Sequence, residues 1–404
     1  LPLLLGAKGV LQFSEQGFTL KDLKARTLGG DTQIDGGLNV AGPAGESPLQ
    51  LKARGRISAD GLRQARELGG VTRLAQHASG TAAYELTLGL RRGQPELLIQ
   101  SDLRGLALSL PAPLNKPASA ALPLRVSTQL TRESLPAKSR VLHDTLDISL
   151  GRVMVVRYQR DLSVEPAQVL RGGMAVGEAV NDSLPLRDKG VSLNLQLPEV
   201  DLDAWSEVLG NLTGVPMRDA LSTASAVKPL GAQSDVGSAQ DYVPTSLALR
   251  ADQLTLTERV LHKVLVGGSR QGDVWRLNLR ADELNGSAEV RPASGNTPAQ
   301  LLARLSYLNI PPSLVPDVER MLSEQPSSIP ALDIVVDELT LRNKKLGRLE
   351  IQAVNRTGTN ASREWRLNKL NLSLPEASFT ASGLWAADGP SVRRTQLNFV
   401  LEVA

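Results

Sequence analysis

Cysteine is absent from this chain of 404 residues. That excludes a disulfide framework and any thiolate metal site, and it is compatible with either a reducing or an oxidising compartment. Aromatic residues supply only 3% of the chain against 41% hydrophobic residues in all. Rings normally fill a large share of a core of this size, so the apolar face must be built from Leu, Val, Ile and Ala. Such a surface suits either a Leu-rich solid core or a fluid hydrocarbon partner. Long apolar runs are also missing: none approaches the roughly 18 to 20 residues of a membrane span. The opening Leu1-Pro2-Leu3-Leu4-Leu5 lacks the length, charged flank and cleavage site of a signal peptide. Charge of one sign never accumulates. The formal net charge of +3 and pI of about 9.1 come from charges of both signs spread along the chain. Without a clustered Lys/Arg stripe and interleaved aromatics, no nucleic-acid partner is expected. The chain begins without Met, and Leu397 to Val403 reads as a strand still running, so an internal fragment of a longer protein is expected.

What the sequence does contain is an internal repeat. One copy runs from Leu247 through Asp252 to Leu256 and reaches Trp275-Arg276-Leu277-Asn278. The other runs from Leu332 through Asp337 to Leu341 and reaches Trp365-Arg366-Leu367-Asn368, an offset of roughly 85 to 90 residues. Neither copy can bury its apolar face alone, so copies must stack or join edge to edge. In both, apolar residues alternate (247, 249, 251 and 332, 334, 336) and change parity after the Asp (254, 256 and 339, 341). Side chains of a strand repeat every two residues, so a shared parity change predicts a bulge or tight bend at the same place in each copy.

Elsewhere short alternating runs divided by Gly, Asp and Asn read as an antiparallel meander, among them Phe18-Thr19-Leu20, the run from Leu23 to Leu28, Ile34 to Val40, Ala83 to Leu88 and Val191 to Leu197. Helical patterning is local. Ser58 can cap a short helix near 58–68 that stops at Gly69-Gly70, Asp201 another near 201–209 that stops at Gly210, and Pro316 opens a third near 316–322. The Ser/Ala/Gly-rich segment 222–246, with Lys228-Pro229 and Val243-Pro244, reads as a flexible loop.

Residue patterns that carry chemistry are few. His77, His143 and His262 have no metal-ligand spacing, so no metal is expected and each reads as a surface or structural residue. Gly172-Gly173 with Gly177, and Gly267-Gly268 with Gly272, have the wrong spacing for a phosphate loop and mark turns instead. Asp252 and Asp337 occupy matching repeat positions, which points to a recurring turn rather than a catalytic pair. Trp275 and Trp365 read as packing anchors, with Arg276 and Arg366 on the opposite, solvated face. No catalytic residue, cofactor or enzymatic activity is expected.

Several segments resemble a known family. They are the string from Asp102-Leu103-Arg104-Gly105 to Leu114-Asn115-Lys116-Pro117 with Leu122-Pro123-Leu124-Arg125, the segment Leu195-Gln196-Leu197-Pro198-Glu199-Val200-Asp201 leading to Trp205, and Gly268-Ser269-Arg270-Gln271-Gly272 leading to Trp275. Together they are similar to the YhdP branch of the AsmA-like proteins of Gram-negative bacteria. The resemblance implies an envelope protein anchored in the inner membrane by a segment absent here. A long periplasmic β-groove would carry phospholipid between the inner and outer membranes, with no catalytic residues. The implied fold is mostly β: an elongated, strongly curved antiparallel sheet forming a repeating groove with a hydrophobic interior and a few short helices. Residues 1–221 would be the N-terminal part of the groove, 222–246 a loop, and 247–404 groove repeats at 247–292 and 332–404.

If each strand turns its apolar residues to one side, the sheet becomes a trough with an aliphatic floor and a polar outer wall. The floor predicted on this pattern is Leu247, Leu249, Leu254, Leu256, Leu277, Leu279, Ile334, Val336, Leu339, Leu341, Leu349, Ile351, Leu370, Leu372 and Leu374. Its partners would be phospholipid acyl chains. A structural or adhesive β-sandwich array without lipid cargo is the alternative, in which the same residues form a closed core. A carbohydrate-active enzyme would need clustered carboxylates and exposed aromatics that the sequence does not supply.

Overall fold

The computed structural model describes residues 3–39, 47–136, 138–180, 184–213, 241–257, 259–294, 297–310, 330–357, 363–374, 376–388 and 392–403. The helix predicted near 316–322 and most of the loop predicted at 222–246 lie outside these residues. Strand dominates the described chain, as the alternating runs require. Two units divide it: Leu1–Leu197 with Gly231–Pro244, and Pro198–Leu230 with Thr245–Ala404.

The first unit holds β1 (Leu5–Ser14), β2 (Gly17–Thr27), β3 (Gly30–Asn39), β4 (Leu49–Ser58), β5 (Ala78–Arg91), β6 (Gln94–Ser101), β7 (Leu106–Leu108), β8 (Leu124–Leu130), β9 (His143–Leu150), β10 (Met154–Asp161), β11 (Gln168–Gly177) and β12 (Gly190–Asp201), the last crossing into the second unit at Pro198. Successive strands from β1 to β6 pair antiparallel, β6 pairs with β8, and the meander continues through β9 and β10 to β11. The short β7 pairs instead with the start of β5. One ladder departs from the antiparallel pattern: β11 and β12 are parallel. A parallel pair needs a crossover connection, and the chain after β11 supplies it. Leu184 of this connection is buried, and a Cβ on Gly173 would come within 3.2 Å of it.

Between β4 and β5 the chain makes α1 (Ala59–Gln64), a single turn of tighter helix at Arg66–Leu68, and α2 (Gly70–Leu74). Ser58 is the N-cap, its side chain accepting the Gly61 N–H at 3.0 Å. The helical stretch ends at Leu68 with Gly69 as its cap, where the stop was predicted. Gly69 adopts φ +54°, a conformation glycine reaches without steric cost, and Gly70 then opens a second short helix. Alanines Ala59, Ala78 and Ala82 pack here with Leu103, Leu106 and Leu150 into a small core. Small side chains let the loop after β6 approach the sheet closely. Lys116, in the connection from β7 to β8, is itself buried, its ammonium donating to the Leu106 and Pro117 carbonyls, and burial lowers its pKa.

The second unit opens with α3 (Leu202–Thr213), capped as predicted by Asp201, whose Oδ1 accepts the Ala204 N–H at 2.9 Å. It runs through Gly210 to Thr213 rather than stopping there, since a single interior glycine costs only about 1 kcal/mol relative to alanine. There follow β13 (Ser246–Leu256), β14 (Arg259–Gln271), β15 (Val274–Arg280), β16 (Leu284–Arg291), β17 (Gln300–Ile310), β18 (Ala331–Leu341), β19 (Lys344–Thr357), β20 (Arg363–Ser373), β21 (Ala377–Asp388) and β22 (Val392–Val403). Each pairs antiparallel with the next except β17 and β18, which are parallel. Among the described residues β22 pairs only with β21, and the sheet is curved and open.

The repeat's parity change has a clear structural counterpart. In β13, Ala251 and Leu254 are both buried while Asp252 and Gln253 between them are exposed; in β18, Val336 and Leu339 are buried and Asp337 and Glu338 exposed. The two copies absorb the extra residue differently. Opposite Asp252, β14 carries its own irregularity at Lys263 (φ +52°), so Ala251 still faces Val264 and Leu254 faces Leu261. Opposite Asp337 the register slips instead, Val336 facing Leu349 but Leu339 facing Gly347, which adopts φ +76°. Further mid-strand slips occur between β16 and β17, β19 and β20, and β20 and β21. Bulges bend and coil the strands that carry them, so a row of them is a means of curving a sheet toward one face.

Candidate functional site

Directly opposed residues of a ladder share a face, so the pairing registers trace rows across the sheet. In the second unit one row reads Leu247, Gly268, Leu277, Ala288, Ala303, Ile334, Ile351, Leu370, Ala381, Phe399, and takes one residue from every strand from β13 to β22. The row beside it reads Leu249, Val266, Leu279, Gly286, Leu305, Val336, Leu349, Leu372, Phe379, Leu401. Neither contains a polar side chain. In the first unit the row Leu23, Ile34, Ala53, Leu86, Ile99, Val126, Ile148, Val156, Met174, Leu193 crosses from β2 to β12, missing only the short β7.

The opposite face is polar. Its neighbouring row in the second unit is Ser246, Ser269, Arg276, Glu289, Leu302, Asp333, Gln352, Lys369. Cross-strand ion pairs tie this face together: Arg276 with Glu289 at 3.1 Å, Arg304 with Asp333 at 2.9 Å, Arg348 with Asp337 at 2.9 Å and Lys369 with Glu350 at 2.5 Å, while Arg348 also pairs with Glu350 along its own strand at 3.1 Å. Bonds from Arg291 and then Arg276 hold the Glu289 carboxyl below its ordinary range, and Lys369 and then Arg348 do the same for Glu350. A hollow of about 700 Å³ in the first unit is lined in part by the matching charged row, Arg54, Glu85, Gln100, Arg125 and Ser149. It lies off the apolar rows traced above.

The residues predicted as floor fall on this apolar face as follows. Leu247, Leu277, Ile334, Ile351 and Leu370 share the first row, and Leu249, Leu279, Val336, Leu349 and Leu372 the second. Leu254 and Leu339 lie beyond the parity change and are buried, with Leu339 packed in one cluster with Val336, Leu305 and Ala303. Leu256 and Leu341 end their strands at the rim, 40% and 37% exposed. Leu374 is half-buried in the turn after β20, its N–H donating to the Ala377 carbonyl. Most of the rows' other members are half-buried rather than sealed, whereas Val336 is fully buried. Sequence pattern missed β17 with Ala303, Leu305 and Leu308, and it named no floor residue in the first unit. The missing signal there is pairing itself: Ala53, Gly268 and Ala288 look unremarkable until a ladder sets them between leucines.

Three of the four tryptophans collect near one rim of the same face. Trp275 begins a row through Val290, Leu301, Leu332, Ala353 and Leu367, and one step outward Trp365 stands opposite Trp385. The Trp365 indole donates to the Pro330 carbonyl at 3.1 Å and Trp385 is buried, so both serve as packing anchors. Arg276 is exposed on the polar face. The three histidines are dispersed; His262, near the start of β14, bonds Glu283 through Nδ1 at 2.6 Å. Among the described residues no group of His, Asp and Glu gathers in a metal-binding arrangement, and no helix is long and apolar enough to cross a membrane.

In each unit the apolar rows run unbroken from strand to strand and form a continuous apolar face rather than an enclosed pocket. Residues 2–404 match the family model described as YhdP protein, so the chain belongs to the YhdP family. That membership makes it an envelope protein and points to lipid transport in the envelope as its general activity. Comparison with curated proteins and with solved structures returned no match.

Proposed function

We propose that the apolar face is a stretch of conduit through which phospholipid moves between the inner and outer membranes, in the periplasmic part of a protein anchored in the inner membrane. The observation that carries this reading is the continuity of the rows. Each strand presents apolar residues to the next at the same height, so an acyl chain meets a similar floor wherever it lies. Burial of each methylene is worth about 0.8 kcal/mol. Because the floor repeats with the strand spacing of about 4.8 Å, moving one strand along exchanges like contacts for like and leaves the energy nearly unchanged. Such a floor binds in sum and lets the ligand slide. The protein catalyses no reaction on this reading and binds no nucleic acid.

The test is to express the protein without detergent, place a photo-crosslinking residue at Leu254 or Leu339 and, separately, at Arg250, and analyse the irradiated protein for attached phospholipid. Lipid captured at both leucine positions and not at Arg250 is the expected result. A well-folded protein that captures no lipid at any of the three positions would replace the conduit with a closed structural β array.

A further inference from the structure

Both copies of the repeat end in a leucine facing a basic residue at one rim. Leu256, the last residue of β13, faces Arg259 across the ladder, and Leu341, the last residue of β18, faces Lys344. Opposed residues share a face, so in each copy a cation stands beside an exposed leucine where the apolar floor meets solvent. The rim lies opposite the one that carries Trp275, Trp365 and Trp385.

The second copy carries this furthest. Between Leu341 and Lys344 the chain turns through Arg342 (φ +50°) and Asn343 (φ +63°), the two left-handed positions of a tight hairpin. Arg342, Lys344 and Lys345 are exposed. None of the three forms an ion pair among the described residues, whereas Arg276, Arg304, Arg348 and Lys369 on the polar face are all paired. Three positive charges therefore gather on one hairpin tip. Immediately inward from them Leu341 is 37% exposed, flanked by Ile310 on the neighbouring strand, and Leu339 and Val336 continue the apolar floor. With about 3.3 Å per residue along a strand, Leu339 lies only about 7 Å inward from Leu341. The ligand that fits is an amphiphile with an anionic head and an apolar chain leaving it directly.

We propose that this hairpin tip takes the phosphate of a phospholipid whose chains lie on the floor, so that lipid rides with its head group on the Arg342–Lys345 rim. The proposal rests on the conduit reading and adds the side on which the head group travels. The experiment incubates the full chain with phosphatidylglycerol or diacylglycerol of the same acyl composition, separates the protein, and measures bound lipid. It compares the wild type with Arg342→Ser/Lys344→Ser/Lys345→Ser and with Arg270→Ser, whose side chain shares the opposite rim with Trp275. Circular dichroism checks that each variant is folded.

The wild type should retain phosphatidylglycerol over diacylglycerol by about fivefold or more. The triple variant should bring the ratio close to one with diacylglycerol uptake unchanged, and Arg270→Ser should keep the wild-type ratio. An unchanged ratio in the triple variant, or a ratio lost in Arg270→Ser, overturns the assignment while leaving the conduit standing. Displacement of phosphatidylglycerol by an equal concentration of glycerol phosphate would show a site for free phosphate and would also overturn it. If the wild type takes up neither lipid, the conduit reading fails and this one with it.

Discussion

Replacing Ile351 by Asp separates an open floor from a closed core. Ile351 is half-buried in the middle of the first row, opposite Ile334 and Leu370. Losing half of a full isoleucine burial costs about 1 kcal/mol, and Asp in place of a β-branched residue in a strand adds about 1 kcal/mol. On an open face the new carboxylate stays hydrated, so the total is about 2 kcal/mol and the protein remains folded. In a closed sandwich the same carboxylate is a buried, unpaired charge, which adds about 3 to 5 kcal/mol. The effect on lipid is separate. A chain crossing position 351 loses contact for about two or three methylenes, roughly 2 kcal/mol at 0.8 kcal/mol each, or about thirtyfold in occupancy. Urea unfolding gives the first quantity and bound phospholipid per protein the second. A folded variant with a modest shift in midpoint and strongly reduced lipid is the expected pair of results. A loss of more than about 5 kcal/mol would refute the open face, because only a sealed interior charges that much for one carboxylate.

Gly347 stands at φ +76° with the position of a Cβ 2.1 Å from the Ser373 carbonyl oxygen, so Gly347→Val should destabilise the second unit by at least about 1 to 3 kcal/mol, read as a lowered midpoint in thermal melting. Asp144 is buried and bound through both carboxylate oxygens by Arg160. Asp144→Ala leaves that guanidinium without its carboxylate and should cost about 3 to 5 kcal/mol in urea unfolding, with Asp144→Asn recovering part of the loss. The Glu289 and Glu350 carboxyls are both held below the ordinary value of 4.5 in the folded protein. Their contribution is therefore fully present above the ordinary glutamate range and disappears as the pH falls through their lowered folded values. Stability measured between pH 6 and pH 3, pH values chosen to bracket about 4.3, should decline less steeply in a Glu289→Gln/Glu350→Gln variant than in the wild type. An identical slope would remove these two carboxylates from the account.

The sequence made some of this legible and not the rest, for reasons that lie in particular residues. The alternation around Asp252 and Asp337 is a local signal, and a parity change can only be met by an irregular backbone, so the bulge positions and the placement of Val336 and Leu339 could be read directly. How each copy meets it could not. Lys263 on one neighbouring strand and Gly347 on another decide whether the ladder stays in step or slips, and a single strand does not display its partner. The same holds for the parallel ladders of β11 with β12 and β17 with β18. Helix starts were legible because Ser58 and Asp201 are caps with a defined hydrogen bond. Of their ends, Gly69 does close the first stretch, but the second short helix that Gly70 opens gave no signal, and Gly210 marks nothing more than a tolerated interior position.

The floor itself was half legible, and the missing half bears on function. A predicted row made only of large aliphatic residues would be a ridge. The observed rows alternate Leu247 and Leu277 with Gly268, set Ala288 against Leu277 and Ala303 against Ile334, and place Gly286 between Leu279 and Leu305. At Gly268 a Cβ would come within 2.5 Å of the Leu277 side chain, and at Gly286 within 2.9 Å of that of Leu305. The leucine of one strand thus leans into the space its neighbour leaves, which levels the floor without adding a polar atom. A strand of leucines at every position would splay the sheet or over-pack it, and a polar residue in the row would hold a passing chain off the surface until it was dehydrated. Small residues between large ones avoid both, and that pattern emerges only when residues far apart in sequence are read across the ladder.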